Sequence, residues 1–213
     1  MKLSDKEIRV VGALVEKELT TPDYYPMSLN GLRNACNQKS NRDPLMNIDE
    51  STLLNALDTL RDKGIVIFSS GQGQRVLKYR HDFGAVLSLY RREISLMTSL
   101  MLRGAQTLGE LRLHSQHLHE FKTTEEVQEY LLKLSEREEP LVKLLPRQPG
   151  QKEQRYIHLL QAGAEFVEVN LNSEEEIPNK NELIELQEKV RLLERELKEL
   201  QKEFYNFKKE LET

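Results

Sequence analysis

The residues with the most chemistry to offer form a polar run. Asn34, Asn37, Gln38, Lys39, Asn41 and Arg42 bring amides and cations together within nine residues. Those side-chain types suit phosphate contact and base-edge reading. They have a structural alternative, in which the asparagines satisfy turn backbone and Arg42 pairs with a nearby carboxylate. More cations sit on two stretches that read as hairpins: Arg75, Lys78 and Arg80, then Lys143, Arg147, Lys152 and Arg155. Basic hairpins touch phosphates, and a solvated charged hairpin has the same composition. Against them stand the carboxylates of two helices, Glu50, Asp58 and Asp62 in one and Glu125, Glu126 and Glu129 in the other. Phosphates repel carboxylates in a groove unless one accepts from cytosine.

Little else points to catalysis. His114 and His117 stand three apart, with His119 and Glu120 beside them, but nothing further completes a metal set. Cys36 is the only cysteine and reads as a small core residue. There is no nucleophile–base pair, no phosphate-binding glycine motif and no acid–base pair of carboxylates in a recognisable setting. No metal, no cofactor and no enzymatic activity are expected.

The elements that must position these residues are legible from periodicity. Leu53, Leu57 and Leu60, with Leu54 and Ala56, make an apolar helical stripe after a capping Asp49. Lys63-Gly64 stops that helix, Ile65–Phe68 reads as a strand, Ser69–Gln74 as a turn and Arg75–Arg80 as the return strand. Before it, Ser4-Asp5-Lys6-Glu7 is a capping box for a helix whose stripe is Ile8, Val11, Val15 and Leu19. Ser28 caps a short second helix, and the polar run follows as a loop longer than an ordinary helix-turn-helix turn. The order then recurs about 77 residues later. A helix spans about Leu89–Arg103 and Gly104 ends it, Thr107-Leu108-Gly109-Glu110-Leu111-Arg112 echoes Ser28-Leu29-Asn30-Gly31-Leu32-Arg33, and Thr123-Thr124-Glu125-Glu126 is another capping box, opening a third helix. Leu141–Leu145 and Arg155–Leu159 read as hairpin strands, with Tyr156-Ile157-His158 repeating Tyr79-Arg80-His81.

The expected fold is therefore mainly α with small β-hairpin wings: two tandem winged-helix domains, 1–82 and 83–163, a linker 164–180 and a coiled-coil helix 181–213. The last assignment rests on Leu183, Leu186, Val190, Leu193, Leu197, Leu200, Phe204, Phe207 and Leu211, which alternate by three and four. Such a narrow stripe favours self-association, as a parallel dimer, over packing on its own domain.

Charge narrows the partners. Residues 1–82 hold 12 Lys and Arg against 11 Asp and Glu, residues 83–163 hold 11 against 10, and residues 164–213 hold 8 against 14. The two domains are near neutral, without the basic excess of a typical nucleic-acid binder, and the acidity lies in the tail. No apolar run approaches the ~20 residues of a membrane span. The N-terminus lacks a signal-peptide core, so the cytoplasm is the expected location and no membrane partner is expected.

Several stretches resemble a known family. Glu16–Pro26, Asn34–Pro44, Gln106–Arg112 and Leu145–Gln151 are similar to the bacterial YceH-like family, over about residues 4–160. Ala105 stands where that pattern has proline, and the heptad tail lies outside the well-matched region. The resemblance implies tandem winged helices and carries no activity over. Two functions fit: a DNA-binding, regulator-like dimer contacting double-stranded DNA through the polar loop and wings, or a protein-interaction module. The second would resemble the tandem winged-helix partners of bacterial chromosome condensation complexes. Fold alone does not separate them, and the basic wings and dimerising tail put the DNA-binding reading first.

Overall fold

The computed structural model describes residues 1–69, 76–147, 150–162 and 195. Its elements, in order, are α1 (Asp5–Thr20), a 3-10 turn at Pro22–Tyr24, β1 (Met27–Ser28), α2 (Leu29–Cys36) and α3 (Glu50–Asp62). Then follow β2 (Val66–Ser69), β3 (Lys78–His81), α4 (Phe83–Leu87), α5 (Arg91–Arg103), α6 (Leu108–His114), α7 (Thr124–Ser135), β4 (Val142–Leu145) and β5 (Arg155–His158). The fold is mainly helical with small antiparallel sheets.

Local chemistry sets most of these boundaries. Ser4, Ser28, Asp49, Thr107 and Thr123 each accept a first-turn amide of the helix they precede, a cap worth about 1 kcal/mol. Gly64 after α3 and Gly104 after α5 have φ of +73° and +74°, a backbone that favours glycine. The helix expected over Leu89–Arg103 begins at Arg91, and the short α4 precedes it, ending at Ser88 with φ +53°.

The sheets repeat a plan. The first has order β1-β3-β2, with Met27 opposite Tyr79 and Val66 opposite His81. The second pairs β4 with β5, Val142 opposite His158 and Leu145 opposite Arg155. A single bridge, Gln106 to Tyr156, stands where β1 stands in the first. The two sheets are separate.

The core is shared between the repeats. Every residue of α1 from Glu7 to Glu16 is buried, so its burial extends beyond the stripe of Ile8, Val11 and Val15 to Val10, Ala13 and Leu14. The added face packs on α5, and Gly12 lets the helices approach: a Cβ there would lie 2.8 Å from Leu102 Cδ2. Leu3 joins the far end of the fold, its amide donating to Leu160 O at 2.7 Å and its carbonyl accepting from Ala162 at 2.8 Å. One hydrophobic cluster thus runs from Leu3 through Leu57 and Leu100 to Leu131 and Leu160. Among the described residues no helix is long and apolar enough to cross a membrane.

Candidate functional site

The polar loop after α2 is fastened inward. Arg42 is buried, and its Nη1 and Nη2 donate to Glu16 Oε1 and Oε2 at 3.0 and 2.6 Å. It also donates to the Ala35 and Asn41 carbonyls. Burial pushes the Glu16 carboxyl up, and the Arg42 guanidinium more than offsets this, leaving it below the ordinary range. Asn37 grips Ile48 twice, accepting from its amide at 2.7 Å and donating to its carbonyl at 2.8 Å. Asn41, with φ +58°, accepts from Arg103, and the Asp43 amide donates to Leu102 O at 2.8 Å. Gln38 donates to Ser40 O, while Asn34 and Lys39 are exposed. Arg9, fully buried, reinforces the loop by donating to Cys36 O at 3.1 Å and Pro44 O at 2.6 Å. Burial pushes the neighbouring Cys36 thiol up to about 12, so it stays a thiol.

The loop therefore joins α1, α2 and α5. Arg42 takes the carboxylate partner, and of the asparagines Asn37 alone bonds backbone, at Ile48, while Asn41 accepts from a side chain. Sequence reading missed Glu16 and Arg9 as partners, because both belong to α1 faces outside its expected stripe.

The hairpin cations separate into two groups. Arg155 is held by Glu110 through two bonds of 2.7 and 3.0 Å and donates to Ala105 O at 2.9 Å. Arg80, Arg147 and Lys152 are exposed, and Lys78 is half-buried. Arg75 lies outside the described residues, as do Leu183, Leu186, Val190, Leu193, Leu197, Leu200, Phe204, Phe207 and Leu211. The third helices present Glu50, Asp58 and Asp62 on α3 and Glu125 and Glu129 on α7, all exposed. Some have cationic neighbours: Arg33 lies 3.5 Å from Glu50, and Lys133 lies 2.7 Å from Glu129.

The histidines diverge. His114 Nδ1 is 2.7 Å from Gln106 Oε1, His117 Nε2 is 3.7 Å from Glu16, and His119 packs edge-on against Phe121. Among the described residues no three His, Cys, Asp or Glu come together as a metal set. His81, buried at the end of β3, accepts from the Phe83 amide at Nδ1, and its Nε2 lies 2.8 Å from Glu18.

One cleft adjoins these elements. It has a volume of about 460 Å³ and lies between the Tyr24-Tyr25-Pro26 turn, the start of α2 at Gly31, and the turn-side end of the β2–β3 ladder at Ser69 and Lys78. Tyr24 is 80% exposed beside it, a large aromatic offered to solvent.

A family profile described as "Protein of unknown function, DUF480" matches residues 3–151. A UPF0502 protein of Koribacter versatilis is 51% identical over 158 residues, 74% of this chain and 73% of that protein. One from Geobacter sulfurreducens is 50% identical over 158 residues, 74% of this chain and 72% of its own length. A UPF0502 protein of Shewanella piezotolerans is 43% identical over 207 residues, 94% of each chain.

Proposed function

The chain belongs to the DUF480 (UPF0502) family, and from that premise we propose that it is a non-enzymatic binding module, two tandem winged-helix units that dock a protein partner. The twofold order of three helices and a hairpin supports the architecture, α1-α2-α3-β2-β3 and then α5-α6-α7-β4-β5. The fate of the charges carries the choice of partner. Arg42 and Arg155 are each held bidentately by a carboxylate, while the exposed faces of both third helices carry acids. Acidic helices are repelled by a phosphate backbone and suit a protein surface with cations. Double-stranded DNA is the second reading, favoured by Arg80, Arg147 and Lys152, which are exposed on or beside the hairpins.

A labelled random-sequence duplex titrated with the full chain separates the two readings. No salt-dependent binding is expected at low ionic strength. Binding that falls steeply with salt, and weakens in Arg80→Glu and Arg147→Glu, overturns the protein reading. A photoreactive residue at position 55 on the α3 face is expected to give a discrete protein adduct in cells, lost with Asp58→Lys.

Self-association belongs to the same proposal and rests on the heptads of residues 181–213. The full chain is expected to sediment as a dimer. A chain lacking residues 181–213 is expected to sediment as a folded monomer. Monomers in both cases, at tens of micromolar, would make the heptads an intramolecular brace.

A further inference from the structure

The two repeats differ at one rung, and the difference exposes a site. In the second repeat Glu110 is the third residue of α6, its amide donating to the capping Thr107 Oγ1 at 3.2 Å. Arg155 reaches Glu110 from β5 and closes the space between helix and hairpin. In the first repeat Gly31 is the third residue of α2, its amide donating to the capping Ser28 Oγ at 3.2 Å. Register fixes the rest of the correspondence. Met27 faces Tyr79 as Gln106 faces Tyr156, and Ser69 faces Lys78 as Leu145 faces Arg155. Lys78 therefore stands where Arg155 stands, and Gly31 where Glu110 stands. The cation persists in the first repeat and its carboxylate does not. Among the described residues no carboxylate lies within ion-pair distance of Lys78, and Gly31 and Lys78 both line the cleft of about 460 Å³.

We infer that this cleft receives the carboxylate of a glutamate or aspartate side chain from a partner protein, seated where Glu110 sits in the second repeat. Lys78 supplies the charge, and the bare Gly31 leaves room above the first turn of α2. Tyr24, Pro26 and Met27 offer apolar surface to the methylenes of the incoming side chain. Asp23 also lines the cleft; it is exposed, so solvent screens its repulsion. The inference rests on the protein-partner reading only for the source of the carboxylate.

The probe is a capped peptide of sequence Leu-Gly-Glu-Leu, the order around Glu110, with Leu-Gly-Gln-Leu as control. Amide resonances of Ser28, Gly31 and Ser69 in the full chain are followed during titration. The glutamate peptide is expected to shift them saturably. The glutamine peptide should bind about tenfold more weakly, the loss of one charge-assisted hydrogen bond. Lys78→Gln should abolish the difference between the peptides. Gly31→Glu should abolish binding by supplying the carboxylate internally; its Cβ would meet Ser28 Oγ at 3.3 Å and Met27 Cε at 3.7 Å, contacts that a small shift accommodates. No saturable shift, equal binding of both peptides, or unchanged discrimination in Lys78→Gln overturns the site and leaves the protein-partner reading standing. Duplex DNA shifting these resonances where the peptide does not overturns both. Peptide binding here, together with salt-dependent duplex binding that leaves these resonances unmoved, keeps the site and overturns the functional reading.

Discussion

Arg42→Met is expected to cost about 3–5 kcal/mol of stability, the usual penalty for removing one partner of a buried ion pair. The guanidinium has no exposed surface, and the side chain of Glu16 is 3% exposed. Without Arg42 the carboxylate keeps Lys17 at 3.1 Å and His117 at 3.7 Å, both partly solvated and neither reaching both oxygens. The cost therefore comes from a stranded charge more than from lost attraction. Adding Glu16→Leu to Arg42→Met is expected to recover most of the loss, since an apolar pair strands nothing. The single variant should also gain relative stability as pH falls. Its buried carboxyl titrates above the unfolded value, so the folded state binds more protons there. Urea unfolding of both variants and the parent, at two pH values, checks each point. A single variant within about 1 kcal/mol of the parent would mean the pair is dispensable.

That pair also shows what the sequence could and could not reveal. The caps were legible because each needs one residue type next to an apolar period: Ser4, Ser28, Asp49, Thr107 and Thr123 all cap, although Glu126 accepts from the Lys122 amide and does not close the expected box with Thr123. The stops at Gly64 and Gly104 were legible for the same local reason. β1 was not, since two residues carry no alternation. The unbroken burial of α1 from Glu7 to Glu16 was not either, because its second partner, α5, lies about 80 residues away in sequence. Arg42 suffered from the same distance. Its residue type suits a phosphate as well as a carboxylate, and Glu16 stands 26 residues earlier, off the expected stripe. The echo of Ser28-Leu29-Asn30-Gly31 in Thr107-Leu108-Gly109-Glu110 was plain in sequence. Its consequence needed the strand register, which places Lys78 and Arg155 on equivalent rungs.

The same register puts a buried histidine at the end of each hairpin, and these two groups are expected to dominate the loss of stability between pH 6.5 and pH 4.5. His81 faces Val66 and His158 faces Val142. Burial lowers both, His158 to about 4. Glu18 opposes the shift at His81 from 2.8 Å, whereas among the described residues Asp5 is the one charge that raises His158. His158 Nδ1 is moreover buried without a hydrogen-bond partner among the described residues. A folded-state value below the unfolded one means that the unfolded chain binds more protons between the two. Stability from keeping His158 neutral is thus fully present above pH 6.5 and is lost as pH falls toward 4, reaching about 3 kcal/mol. The carboxylates held low, Glu7, Glu16 and Glu110, lose their contributions only as pH falls below the ordinary carboxylate range, so the two windows separate. His158→Gln is expected to flatten the upper window by the larger share and His81→Gln by the smaller. Unfolding midpoints measured from pH 7.5 to pH 4.5 test this. An unchanged slope in His158→Gln would show that the imidazole charges without loosening the hairpin.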